Sequence, residues 1–138
     1  MKRILLVEDE AIVRGPIASL LQREGYEVDV AAAEDEAIRL ARASLPDLVM
    51  LDVHLESGQT GIQVCERLRA TPRMERVPIM MLTSDSQRET VMRCIAAGAN
   101  DYFLKIGFEF DSLLARIKNW IGGPAPEDPP EPQQQGRW

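Results

Sequence analysis

Five short apolar runs, each of strand length, are separated by segments whose apolar residues recur at helical spacing. The runs are Ile4–Val7, Val28–Ala32, Leu48–Leu51, Ile79–Leu82 and Tyr102–Leu104. The helical markers that follow them in turn are Ile17, Leu20 and Leu21; Ala37, Ile38 and Ala41; Ile62, Val64, Cys65 and Leu68; Val91, Cys94 and Ile95; and Leu113, Leu114, Ile117 and Ile121. Strands joined by whole helices cross over and pair in parallel, with helices on both faces of the sheet. Ile4–Val7 and Leu48–Leu51 are unbroken apolar, as strands covered on both faces should be. The expectation is an α/β fold with a five-stranded, doubly wound parallel sheet. No motif recurs at a fixed period, which excludes a repeat array.

The chain has 138 residues, 45% of them hydrophobic, enough for one domain with a real core. That domain is expected over 1–122. From Gly123 the sequence reads GPAPEDPPEPQQQGRW, rich in proline and nearly free of apolar residues. Such a stretch buries too little surface to offset its ordering entropy, so 123–138 is expected to be a disordered or polyproline-like tail or linker. A net charge of −6 argues against nucleic acid as a direct partner, because phosphate binding draws on a basic surface. No apolar run reaches membrane-span length. Met1-Lys2-Arg3 is followed by only four apolar residues before Glu8, too few for a signal peptide. Cys65 and Cys94 sit inside apolar patterns without CxxC spacing, which reads as reduced core thiols in a cytoplasmic protein. Gly15-Pro16 conflicts with the first helical segment: either the helix starts near Pro16, or an earlier turn is kinked there.

In an open parallel sheet, ligands bind beyond the carboxyl ends of the strands. The residues there are Glu8 and Asp9, Asp52, Thr83 and Ser84, and Lys105. Singly, each has an ordinary reading: acids and hydroxyls after strands cap helices, and a lysine is a solvated charge. Together they are harder to dismiss. Three carboxylates at one rim repel one another and require compensating positive charge. A hard divalent cation such as Mg²⁺ suits a site of few carboxylates plus phosphate.

The segments ILLVEDE (4–10), DLVMLD (47–52), PIMMLTS (78–84) and GANDYFLK (98–105) resemble the receiver (CheY-like) domain of two-component response regulators, in its single-domain form. The resemblance covers about residues 2–121. It implies the strand order 2-1-3-4-5 and a phosphoacceptor signalling domain, not an enzyme beyond its own phosphorylation and dephosphorylation. Asp52 would accept the phosphoryl group from a histidine kinase or phosphotransfer protein. Mg²⁺ would be held by Asp9, Asp52, the backbone carbonyl of His54 and, through water, Glu8. Lys105 would pair with one phosphoryl oxygen and Thr83 with another. Tyr102 would be the switch aromatic that turns inward behind Thr83. The face formed by the fourth helix, fifth strand and fifth helix would bind a downstream protein, with homodimerisation left open. With no output domain following, the chain would act through protein contacts.

Other residues carry plainer expectations. The His54 side chain should point to solvent, Met50, Met80 and Met81 should fill the core, and Asp85 falls where the family tunes dephosphorylation. Two loops depart from the family pattern. After Asp52 the expected proline is Glu56 and the glycine comes one residue late, in Gly58-Gln59-Thr60-Gly61. After Lys105 the usual cis proline is replaced by Ile106-Gly107-Phe108, so a trans Lys105-Ile106 peptide is expected, with Gly107 making the turn. These departures sustain an alternative, a phosphorylation-independent interaction module on the same fold. A dehalogenase-like phosphatase is disfavoured because His54 stands where a general acid is needed. Flavin binding is disfavoured because Glu8-Asp9 would repel its phosphate.

Overall fold

A computed structural model describes residues 1–55, 60–84, 87–105 and 109–123. Its elements alternate along the chain: β1 (Arg3–Val7), α1 (Ala11–Arg23), β2 (Glu27–Ala31), α2 (Glu34–Ala43), β3 (Leu48–Asp52), α3 (Gly61–Arg69), β4 (Ile79–Thr83), α4 (Arg88–Ala96), β5 (Asp101–Leu104) and α5 (Phe110–Ile121). These strands pair in parallel, in the order β2-β1-β3-β4-β5. The expected fold is the observed one, with β2 starting and ending one residue earlier than its apolar run. Asp52 and Thr83 are the last residues of their strands rather than the first of the loops.

Alternation along the strands splits the core in two. Ile4, Leu6, Leu48, Met50, Met80 and Leu82 pack under α1 and α5. Leu5, Val7, Val49, Leu51, Ile79 and Met81 pack under α2, α3 and α4. Met50, Met80 and Met81 are fully buried, and Cys65 and Cys94 are buried in the second layer and form no disulfide, as expected. Burial pushes the Cys65 thiol up to about 11, which keeps it protonated and inert.

The Gly15-Pro16 conflict resolves in favour of a helix that runs through it. α1 begins at Ala11, so Pro16 is interior. Ile12, whose carbonyl Pro16 cannot serve, and Pro16 itself both lie on the exposed side, where water can take the missing bond. Gly15 carries no Cβ to collide with the following ring, which removes the usual bar to a helical residue before proline.

Arg69, at the end of α3, ties the far end of the sheet together. It donates to the carbonyls of Met74 and Val77 at 2.7 Å each, to the Gly98 carbonyl at 2.7 Å and to Asn100 Oδ1 at 2.7 Å. Gly98 has φ +106°, and a Cβ there would meet the Arg69 side chain at 3.2 Å, so the turn into β5 needs glycine on both counts. The chain from 124 onward lies outside the described residues. So do Glu56–Gln59, Asp85, and Ile106–Phe108 with the Lys105-Ile106 peptide.

Candidate functional site

The strand order reverses direction between β1 and β3, and the crevice at that switch point is where open α/β sheets bind ligands. Glu8 follows β1 there and Asp52 ends β3. Glu8 continues the parity of Ile4 and Leu6, Asp52 that of Met50, and Lys105 that of Phe103, so all three belong to the layer under α1 and α5. They meet. Lys105 Nζ lies 2.9 Å from Glu8 Oε1 and 2.9 Å from Asp52 Oδ2. Its backbone is fixed as well, because Lys105 N–H donates to the Thr83 carbonyl at 2.7 Å.

Glu8 is 0% exposed and Asp52 4%. Burial pushes the Glu8 carboxyl up to about 7; Lys105 opposes that shift and the neighbouring Asp52 adds to it. Burial alone would lower the Lys105 ammonium, but its hydrogen bonds to Glu8 and Asp52 prevail and its pKa is raised. The positive charge that the carboxylates require is therefore supplied within the chain. Asp9, half-buried, follows Glu8 at the same rim.

The Asp52 side of the site is shaped by backbone approach. His54 N–H donates to Asp52 Oδ1 at 3.2 Å, and His54 and Thr60 form an isolated antiparallel bridge that closes the base of the intervening loop. The His54 side chain is exposed, as expected. Thr60 begins α3 with a capping box: its hydroxyl accepts from Gln63 N–H while the Gln63 side chain accepts from Thr60 N–H, both at 3.3 Å. Gly61 N–H donates to the Val53 carbonyl at 2.6 Å. A Cβ on Gly61 would fall 1.9 Å from the Asp52 carbonyl oxygen, so only glycine lets the helix sit this close.

The Thr83 and Tyr102 side chains take the opposite strand parity from the charged trio. Thr83 is fully buried at the end of β4 and shares the parity of Met81. Tyr102 pairs in register with Met81 and packs, half-buried, on the layer under α2, α3 and α4. The helix-capping readings fail: α1 and α4 begin after Glu10 and Gln87, neither making a side-chain cap. Among the described residues no three His, Cys, Asp or Glu side chains form a ready-made metal cage. Two features were not anticipated from sequence, the complete burial of Glu8 and a contact from Arg14, which donates to the Glu8 carbonyl at 2.8 Å. An arginine on a helix carries no sequence signal that singles it out.

A rim of buried carboxylates and one ammonium, at the switch point of a 2-1-3-4-5 sheet, defines a class of phosphoacceptor signalling domains. The response regulator receiver domain family model matches residues 4–118, and the chain belongs to that family. It is 39% identical over 127 residues, 92% of its length, to the phosphate regulon transcriptional regulatory protein PhoB of Rhizobium meliloti. That match covers 55% of the PhoB chain, so the protein spans about half the length of the curated relatives it matches. The chemotaxis protein CheY4 of Vibrio cholerae superposes with a TM-score of 0.83 at 29% identity, covering 88% of this chain and 99% of that one. The response regulator TrrA of Thermotoga maritima, solved in complex with Mg²⁺-BeF, gives 0.76 at 34% identity, covering 88% and 100%.

Proposed function

We propose that Asp52 accepts a phosphoryl group from a histidine kinase or phosphotransfer protein, and that the modification switches a protein-binding surface. The observation that carries this reading is the Lys105 ammonium held 2.9 Å from both Glu8 and Asp52 at the sheet's carboxyl edge. An Asp52 oxygen attacks phosphorus as the P–N bond to the donor imidazole breaks, giving an acyl phosphate and free imidazole. Lys105 then has a phosphoryl oxygen to bind in place of a carboxylate, and the Thr83 hydroxyl takes another. Tyr102, on the Thr83 side of the sheet, follows that hydroxyl inward. A phosphoryl group biases the two states only through contacts that differ between them, and these are the Thr83 and Lys105 contacts. The rearranged surface is α4, β5 and α5.

The donor set fits Mg²⁺. Two carboxylates already converge on one cation, and Mg²⁺ is commonly held by one or two carboxylates with retained waters. Asp9, Asp52 and the His54 backbone carbonyl would hold it, with Glu8 acting through water. Bound there, the ion supplies neutralisation of charge on the transferring phosphoryl group. Cys65 and Cys94, buried and in no disulfide, support a cytoplasmic setting.

Acetyl phosphate with Mg²⁺ tests the proposal. Intact-mass spectrometry should show one phosphoryl increment, absent in Asp52→Asn. No increment from acetyl phosphate or any kinase would leave the phosphorylation-independent module as the function.

A further inference from the structure

We infer that Arg14 is a positioning residue for the acidic loop, holding the Glu8-Asp9 peptide in the orientation that metal binding needs. This rests on the Mg²⁺ reading above. Beyond Val7 the strand ladder ends, and Glu8 enters a loop while still fully buried. Its N–H donates to the Ala31 carbonyl at 3.0 Å. The β2 donors to β1 alternate from Glu27, whose N–H reaches the Lys2 carbonyl at 2.9 Å, so Ala33 would be next, and among the described residues no backbone N–H bonds the Glu8 carbonyl. A buried carbonyl must find a donor. Arg14, on the second turn of α1, reaches back and supplies one at 2.8 Å.

That bond fixes more than one oxygen. The Glu8 carbonyl and the Asp9 N–H share a rigid peptide plane, so its orientation sets the direction in which Asp9 leaves the backbone. Glu8 is then held at its N–H by Ala31, at its carbonyl by Arg14 and at its carboxylate by Lys105. Asp9 projects from a clamped peptide rather than from a free loop. A group that orients a ligand without touching the ion commonly changes metal affinity by 10–100-fold when lost. A bare charge effect acts in the opposite sense, since deleting a cation beside a cation site tightens binding. The sign of the change separates the two.

The test is Mg²⁺ titration by calorimetry on the full chain, wild type against Arg14→Met and Arg14→Lys, with urea midpoints measured in EDTA. Arg14→Met should weaken Mg²⁺ binding about tenfold or more, while its metal-free midpoint falls only by what one buried carbonyl left without its donor costs. Arg14→Lys retains a donor and should recover most of the affinity. Unchanged or tighter binding by Arg14→Met overturns the inference. So does a metal-free midpoint that falls in step with affinity and is not restored by lysine, because that is a purely structural role. Failure of the wild type to bind Mg²⁺ sinks the metal reading and this inference together, whereas wild-type binding that Arg14→Met shares sinks the inference alone.

Discussion

Replacing Gly61 by alanine should strike fold and site at once. The new Cβ would sit 1.9 Å from the Asp52 carbonyl oxygen, 2.8 Å from its carbon and 3.0 Å from Val53 Cα, all backbone atoms that cannot rotate away. Against an ordinary contact of about 3.4 Å, the first turn of α3 must retreat by roughly 1.5 Å. That stretches the 2.6 Å hydrogen bond from Gly61 N–H to the Val53 carbonyl beyond bonding range, a loss of about 1 kcal/mol. Overpacking strain adds about 1–3 kcal/mol. The sum, about 2–4 kcal/mol, lowers the urea midpoint by roughly 1–2 M for a typical m-value. The new Cβ presses on the Asp52 backbone itself, so Asp52 shares the displacement, and for the proposed acceptor a misplacement of about 1 Å can cost about 10²-fold in rate. Phosphorylation by acetyl phosphate, followed by mass, should therefore slow by about that factor. A Gly61→Ala protein with a midpoint within ~0.3 M of wild type and an unchanged phosphorylation rate would refute the reasoning, because the helix would then have had room to yield.

Three further outcomes follow from the same contacts. Because burial raises the Glu8 carboxyl to about 7 from its ordinary 4.5, the folded state keeps a proton that the unfolded chain releases between those values; metal-free stability should fall as pH rises through that window, by at most about 1.4 kcal/mol per pH unit. Urea midpoints should show that slope in wild type and a flatter one in Glu8→Gln; parallel curves would contradict the burial account. Lys105→Met leaves two buried carboxylates without their shared cation, and because Glu8 can take up a proton the loss should be about 1–2 kcal/mol near neutral pH and larger in alkali, read from the same titrations. Arg69→Met removes donors to four carbonyls and Asn100 and should lower the thermal midpoint by about 10 °C while leaving phosphorylation intact, since Arg69 sits at the opposite edge of the sheet; a loss of phosphorylation at equal folded fraction would show that the two edges are coupled.

By itself the sequence determined the layers, because apolar period is a local property. Short unbroken runs such as Leu48–Leu51, set between helical segments, fit central strands, and the spacing of Leu113, Leu114 and Ile117 fits one face of a helix. The rim residues were legible for a related reason: in a parallel sheet every strand points the same way, so whatever follows each strand is delivered to one edge. Tertiary structure alone decided which of them touch. Whether the Lys105 ammonium turns toward Glu8 and Asp52 depends on parity and on crossover geometry, neither of which one segment contains. The burial of Glu8, the closeness of Gly61 to β3 and the reach of Arg14 to a carbonyl six residues back are likewise properties of packed elements. Proline in α1 shows the converse limit, since local preference disfavoured a helix that exposure to water and a preceding glycine permit. Pattern fixes which groups reach the rim; desolvation and close approach, which exist only once the chain has folded, decide their charge and their partners.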